Sequence, residues 1–117
     1  MKFHACRTPG KTNWSKKDLK ASDYTSTFKV NEKMSFLAEL TDTYNPSNDN
    51  IVTMFVFRNE NHCAVNTSTV SSTWKQMWYK GLGELNVPEL PDTPGQYTVS
   101  IYMNGKLAGE VQITITQ

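Results

Sequence analysis

The two cysteines and two histidines of this chain are the side chains best suited to nucleophilic or metal chemistry: His4, Cys6, His62 and Cys63. A cysteine nucleophile needs a histidine base within hydrogen-bond reach. His62 and Cys63 are neighbours, so on a strand their side chains point to opposite faces. The four residues also supply zinc ligand types, but their spacing is not that of zinc fingers. We therefore expect no metal, no cofactor and no enzyme. The alternative is a small hydrolase in which His4, Cys6 and His62 meet in a cleft.

Other catalytic signatures are missing from the sequence. The Gly-x-Ser-x-Gly motif of hydrolases does not occur, and Gly81-Leu82-Gly83 is too short for a phosphate-binding loop. Several carboxylates lie in or beside turn signals, where charged side chains are usually solvated: Glu60, Glu84, Glu89 and Asp92. No pair of acids can be assigned to general acid and base roles.

Cys6 and Cys63 instead predict a disulfide, because an even pair of cysteines in a secreted chain usually pairs. In the chain-entropy model, a bridge across this span stabilises the fold by about 4 kcal/mol. The alternative is two free thiols in a reducing compartment. Abundant Ser, Thr and Asn also favour an extracellular or cell-surface location. The first residues lack the apolar run of a signal peptide, so this location implies that the signal was removed.

Length and composition indicate one folded domain. The chain has 117 residues, of which 38% are hydrophobic and 20% charged, and compact domains cluster near this length. No apolar run is long enough for a membrane-spanning helix. Twelve basic and eleven acidic residues give a net charge of +1, whereas nucleic-acid binding needs a basic surface. We expect no nucleic-acid partner, and the sequence leaves the oligomeric state open.

The residues before position 27 differ from the rest of the chain. Residues 1–26 are polar and basic, include the turn signal Thr8-Pro9-Gly10 and allow a single helical turn near Lys16. We predict a leader or linker over 1–26 and a β-domain over 27–117. From Phe28 onward apolar residues recur with a period of two, which is typical of strands.

Individual strands of the β-domain follow from this periodicity. Residues 34–40 alternate and predict a half-buried strand, whereas Ile51–Phe57 is nearly continuous and predicts a central strand covered on both faces. Residues 63–73 are rich in Thr, Ser and Val and favour an edge strand. Strand is also favoured over a helical turn for residues 73–79. About seven such strands with regular turns predict an all-β antiparallel sandwich or barrel.

The last third of the chain carries the clearest signals. Tyr97, Val99, Ile101 and Met103 alternate with polar or exposed positions, and Asn104-Gly105 is the strongest two-residue hairpin signal. Gly109 interrupts the alternation of the return strand and predicts a bulge. The stretch from Pro91 to Lys106 resembles the end of immunoglobulin-like domains in bacterial secreted and surface proteins. In those domains a Pro-Gly-x-Tyr sequence opens the penultimate strand, as Pro94-Gly95-Gln96-Tyr97 does here.

This resemblance implies an immunoglobulin-like β-sandwich that serves as an adhesion, spacer or binding module. It carries over no catalytic residue. Tyr97 matches the tyrosine corner of such folds, whose hydroxyl bonds to upstream main chain near Asp92 or Thr93. The alternative for Tyr97 is an ordinary core tyrosine.

An aromatic cluster is the most suggestive functional feature of the sequence. The candidate anchors are Trp74, Trp78, Tyr79 and Tyr102. Exposed on a sheet, such rings bind protein partners or stack on sugars. The alternative is that the tryptophan pair fills the core. The sequence therefore predicts a non-catalytic extracellular module that binds a protein partner, with a carbohydrate-binding module as the alternative.

Overall fold

The computed structural model describes residues 2–9, 14, 16–39, 51–70, 82–87 and 90–117. Eight strands occur in this part of the chain: β1 Lys2–Arg7, β2 Thr27–Lys29, β3 Met34–Glu39, β4 Ile51–Arg58, β5 Cys63–Val70, β6 Leu82–Val87, β7 Gly95–Met103 and β8 Lys106–Thr116. Two short 3-10 turns, Lys16–Asp18 and Ala21–Asp23, lie between β1 and β2. The all-β fold class is therefore as predicted.

The strands form two sheets. One sheet has the order β1-β3-β6, and the other has the order β2-β8-β7-β4-β5. Neighbouring strands are antiparallel except β2 and β8, which are parallel. The predicted edge strand over residues 63–73 is β5, which closes one end of the five-stranded sheet. The predicted strand over 73–79 lies outside the described residues.

The two sheets enclose one hydrophobic core to which both contribute alternate residues. Phe36 of β3 stacks on Phe55 of β4, with ring centroids 5.8 Å apart. Within the described ranges, fourteen buried side chains belong to this core: Phe28, Met34, Phe36, Ala38, Phe55, Phe57, Leu85, Val87, Tyr97, Val99, Ile101, Met103, Ile113 and Ile115. Period-two alternation therefore located the inward-facing residues correctly along most strands.

Strand β4 is central, as predicted, but it is not covered on both faces. Thr53, Phe55 and Phe57 are buried, whereas Val52 is exposed and its neighbours Met54 and Val56 are half-buried. The near-continuous apolar run therefore serves two surfaces, because Thr53, Phe55 and Phe57 face the core whereas Val52, Met54 and Val56 face outward. This correction leaves an apolar stripe at the surface.

Strand β3 is the opposite case, since it was expected to be half-buried and is buried on both faces. Leu37 points away from the main core and packs with Cys6 and Trp14 in a second small cluster. Leu19 is partly buried against the same cluster. Trp14 and Leu19 therefore cover the side of the three-stranded sheet that faces away from the main core.

The segment interpreted as a leader contributes directly to the fold. Lys2–Arg7 pairs with β3 along its whole length, from Lys2 opposite Glu39 to Arg7 opposite Met34. The main-chain N–H of Thr25 donates to the carbonyl of Ala5 at 3.2 Å, which covers part of the free edge of β1. The polar composition of 1–26 hid this role because its few apolar residues serve two separate clusters.

The hairpin between β7 and β8 forms at the predicted position. Asn104 and Gly105 have φ values of 51° and 83°, and both central residues of a type I′ turn need φ above zero. The register shifts between Ile101, which pairs with Gly109, and Tyr102, which pairs with Leu107. This irregularity is the bulge that Gly109 predicted.

Candidate functional site

The outward surface of the five-stranded sheet carries a continuous apolar patch, which we call the outer face. Its residues are Val52, Met54, Val56, Val65, Tyr102 and Leu107. The strand register sets them side by side, because Met54 is opposite Tyr102, Val56 opposite Val65, and Tyr102 opposite Leu107. Four adjacent strands thus contribute to one surface.

Side chains of the outer face retain large exposed areas. Val52, Val65 and Leu107 are 48%, 56% and 54% exposed, whereas the large side chains of the core are almost fully buried. Single exposed aliphatic residues are common on protein surfaces, but contiguous apolar patches mark interaction sites. The outer face is therefore the best candidate for a binding surface in the described part of the chain.

Polar and charged pairs border the outer face at one end of the sheet. Arg58 Nη2 lies 3.6 Å from Glu110 Oε1, and Thr98 Oγ1 donates to Gln112 Oε1 at 3.0 Å. Such exposed pairs add little stability. A polar border around an apolar centre is the arrangement found in protein–protein interfaces.

The structure places one of the four predicted aromatic anchors on this surface. Tyr102 is half-buried on the outer face and lies opposite Met54. Trp74, Trp78 and Tyr79 lie outside the described residues. Val52, Val65 and Leu107 were not among the site residues predicted from the sequence. The unusual apolar content of β4 was the one sequence feature that pointed to Val52 as a surface apolar residue.

Tyr97 forms the contact expected of a tyrosine corner. Its hydroxyl donates to the carbonyl oxygen of Thr93 at 2.6 Å, and the side chain of Asn59 also hydrogen-bonds to it. Burial is the main cause that raises the pKa of Tyr97 above its ordinary value. The ring of His62 meets that of Tyr97 edge-on, with centroids 6.1 Å apart. Tyr97 thus joins the β4–β5 turn to the loop before β7.

The predicted disulfide is not formed, because both cysteines are free thiols in this structure. Cys6 is buried in the three-stranded sheet, where its thiol donates to the carbonyl oxygen of Ser35 at 3.5 Å. Cys63 is exposed at the start of β5, in the other sheet. Burial, followed by the nearby carboxylate of Asp23, raises the pKa of the Cys6 thiol to about 12. A buried thiol with a raised pKa carries little of the reactive thiolate at neutral pH.

The two histidines occupy separate positions. Nε2 of His4 lies 3.0 Å from Oε2 of Glu39 on the three-stranded sheet, and that hydrogen bond lowers the pKa of Glu39. His62 lies beside Tyr97 at the turn before β5. Among the described residues, no three side chains of the metal-binding types come together.

A cavity of about 650 Å³ lies between β5 and the end of β6. Half of its lining residues are apolar, namely Ala64, Val65, Val87, Leu90 and Pro91, and the other half are polar or charged, namely Asn31, Glu32, Lys33, His62 and Asp92. Ala64 and Leu90 also pack against the main core, so the cavity adjoins the space between the two sheets. Its size is within the range of pockets that hold small ligands or several side chains.

The charged groups around this cavity nearly cancel. Glu32 accepts hydrogen bonds from Arg7 Nε at 2.8 Å and from the main-chain N–H of Lys29 at 2.9 Å. These bonds, chiefly the one from Lys29, lower the pKa of Glu32. The remaining charged residues are Lys33 and Asp92, which have opposite sign. The cavity therefore suits uncharged groups.

Comparisons with known proteins assign the chain to no family. No protein-family model matches it, and no curated protein is significantly similar in sequence. Among solved structures it is similar to the Pseudomonas fluorescens alkylpurine DNA glycosylase AlkC bound to DNA containing an abasic site analog, with a TM-score of 0.39 and 15% identity. This similarity covers 79% of the present chain and 28% of that chain. At such a TM-score, nothing about the present chain follows from it.

No helix in the described ranges is both long and apolar enough to cross a bilayer.

Proposed function

We propose that this chain is an extracellular, non-catalytic module with an immunoglobulin-like fold, and that its outer face binds a protein partner. The observation that carries this proposal is the apolar patch across four strands, in which three aliphatic side chains are about half exposed. Burying apolar area releases about 25 cal/mol per Å². Burial of the outer face by a partner therefore contributes favourable hydrophobic free energy to binding.

Strand order supports the immunoglobulin-like part of the proposal. The run β8-β7-β4-β5 corresponds to the G-F-C-C′ order of the variable-type sheet, and β1-β3-β6 corresponds to strands A, B and E. Tyr97, at the start of the F-equivalent strand, bonds to Thr93 four residues upstream. The same contact defines the tyrosine corner of such folds.

The chemistry of the outer face favours a protein over a sugar. Sugar platforms rely on flat aromatic rings, and Tyr102 is the only aromatic residue of the outer face within the described strands. Its neighbours are aliphatic or sulfur-containing side chains, which fit the apolar centre of a protein interface. The burial of Cys6 and the separation of the two histidines support a non-catalytic role.

A paired-variant capture experiment tests the proposal. The intact chain and the double variant Val52→Lys, Tyr102→Ala are immobilised and exposed to surface proteins of the source organism, with chemical cross-linking. Both changes are at the surface, so we expect the far-ultraviolet circular dichroism to be unchanged. A third variant, Val65→Lys, extends the same test to β5.

We expect the wild-type chain to retain specific proteins that the double variant does not retain. Equal retention by both chains would contradict the proposal. A glycan array, read by tryptophan fluorescence, examines the carbohydrate alternative in parallel. A fluorescence response to sugars that Tyr102→Ala removes would favour that alternative instead.

A further inference from the structure

Among the described strands, one edge of β5 is unpaired, and it presents an ordered row of main-chain hydrogen-bonding groups. The N–H of Asn59 donates to the carbonyl of His62 at 2.9 Å, which makes this a hydrogen-bonded pair. Such pairs alternate along an antiparallel ladder, so Ala64, Asn66, Ser68 and Val70 bond to β4. On β4, the hydrogen bond from Asn104 N to Val52 O at 2.9 Å shows that the even-numbered residues bond to β7 instead.

The remaining residues of β5 therefore direct their main-chain groups away from the sheet. These residues are Cys63, Val65, Thr67 and Thr69. In the described part of the chain, β5 has β4 as its only neighbouring strand. Four N–H and four C=O groups in regular order match the main chain of an extended peptide, because such a strand offers the complementary partial charges.

Sheet edges are usually protected, and within the described ranges the sequence and register of β5 show no such protection. Proteins protect edges with charged residues, proline, bulges or short strands. β5 has eight residues, Cys63–Val70, with no charged residue and no proline, and its register with β4 is uninterrupted.

The other sheet edges carry such protection. β1 is covered by the bridge between Cys6 and Tyr24, and β2 has three residues. β6 contains Glu84 and is followed in the sequence by Pro88. β5 is therefore the exception among the edges of the two described sheets.

The cavity lies beside this same edge. Ala64 and Val65 of β5 line one side of it, and Val87 and Leu90 line the other. A strand added to β5 points alternate side chains toward the core side of the sheet, and there they enter the cavity. Its volume of about 650 Å³ accommodates more than one side chain.

We propose that the free edge of β5 binds an extended peptide segment of a protein partner by strand addition, with alternate apolar side chains of that segment in the adjacent cavity. This inference rests on the proposed binding role and specifies the mode of contact. The near-neutral lining and the uncharged β5 fit an uncharged segment. Main-chain pairing supplies affinity, and the apolar side of the cavity, formed by Ala64, Val65, Val87 and Leu90, favours apolar residues at every second position.

Selection from a random decapeptide library displayed on phage tests this proposal with the intact chain. We expect enriched peptides to carry apolar residues with a period of two. The best peptide is then synthesised with and without N-methyl groups on alternate residues. Methylation of the residues whose N–H groups pair with β5 should weaken binding about tenfold or more, because several main-chain hydrogen bonds are lost together. Equal affinity of the two peptides would overturn the proposal.

Two variants of one residue provide the matched comparison on the protein. Val65→Pro removes an N–H that points to the free edge, and Val65→Thr removes the same side chain while keeping that N–H. Edge strands tolerate proline where its nitrogen faces away from the sheet. We expect the proline variant to bind the selected peptide about fivefold more weakly than the threonine variant, because one main-chain hydrogen bond is lost.

The cavity is tested separately by Ala64→Leu, which places a larger side chain in its lining. We expect weaker binding and a changed preference at the apolar positions of the peptide. If Val65→Pro fails to fold, the comparison of N-methylated with unmethylated peptide still tests strand addition, because it leaves the protein unchanged. Peptides enriched without a period of two, or no enrichment at all, would also overturn strand addition.

These outcomes separate the inference from the proposed function. If N-methylation has no effect while Val52→Lys, Tyr102→Ala still abolishes capture of surface proteins, strand addition is wrong and the outer face remains a binding surface. If that double variant captures the same proteins as wild type, the proposed function fails whatever the peptides show.

Discussion

The hydroxyl of Tyr97 lies 2.6 Å from the carbonyl oxygen of Thr93, to which it donates a hydrogen bond. The side chain itself is buried in the core between the two sheets. One residue thus joins the loop before β7 to the interior, while Asn59 brings the β4–β5 turn to the same hydroxyl.

Removal of the hydroxyl should destabilise the fold. We expect Tyr97→Phe to lower the free energy of unfolding by about 1 kcal/mol, the usual net contribution of one hydrogen bond. Chemical denaturation followed by circular dichroism measures this change. Tyr102→Phe is the matched control, because Tyr102 lies on the outer face. Equal stability of the two variants would show that the corner contributes nothing.

The same hydroxyl predicts a pH dependence. Burial raises the pKa of Tyr97 in the folded chain, so the unfolded chain releases this proton first as pH rises past about 10. Above that pH the folded state binds more protons, and the free energy of unfolding falls. We expect Tyr97→Phe to show a smaller alkaline loss of stability than wild type. An identical alkaline profile would contradict the assigned cause.

Trp14 tests whether the first residues belong to the fold. Its side chain is 1% exposed and packs with Cys6 and Leu37. We expect Trp14→Ala to cost about 3–5 kcal/mol, the usual loss for truncation of a large buried aromatic residue. Urea denaturation provides the measurement. Wild-type stability in this variant would restore the interpretation of residues 1–26 as a leader.

Replacement of two glycines by alanine should destabilise the fold to different extents. Gly105 has a φ of 83° and nothing within 4 Å of an added Cβ, so Gly105→Ala should cost about 1 kcal/mol from backbone strain alone. Gly95 has a φ of 153°, and an added Cβ meets Nδ2 of Asn59 at 3.2 Å. We expect Gly95→Ala to cost more, since Asn59 also bonds Tyr97. Thermal unfolding of both variants tests this order, and a reversed order would contradict it.

The two thiols should differ sharply in reactivity. Cys63 is exposed, whereas Cys6 is buried with its pKa raised to about 12. Because the thiolate is the reactive form, we expect iodoacetamide at neutral pH to modify Cys63 alone in the folded chain and both residues after denaturation. Mass spectrometry distinguishes these products. A chain that lacks both thiol hydrogens and resists alkylation would instead contain the disulfide.

Local periodicity was sufficient to predict most strands and their core residues. Asn104 and Gly105 fixed the last hairpin, because few residue pairs tolerate two positive φ values. The burial of both faces of β3 was beyond such reasoning, since it depends on Trp14, a residue twenty positions away in sequence from Met34. Strand β1 was missed for the same reason, because its pairing with β3 is a long-range contact.

The candidate site was predicted only in part. Tyr102 was assigned to the surface by alternation, but the aliphatic residues around it come from three other strands. Which strands are neighbours follows from topology, which periodicity does not determine. The cavity beside Ala64 likewise depends on the separation between β5 and β6. A small residue on the inner side of an edge strand gives no sequence signal of a cavity.

Amide hydrogen exchange of β5, measured by NMR on the free chain, tests the central claim that this strand is an open edge. Residues whose N–H groups bond to β4 should exchange slowly, and those facing outward should exchange rapidly. We therefore expect Ala64, Asn66 and Ser68 to be protected, and Val65 and Thr67 to be unprotected. Uniform protection along Cys63–Val70 would show that the edge is already paired and would contradict both the topology of this edge and its proposed use.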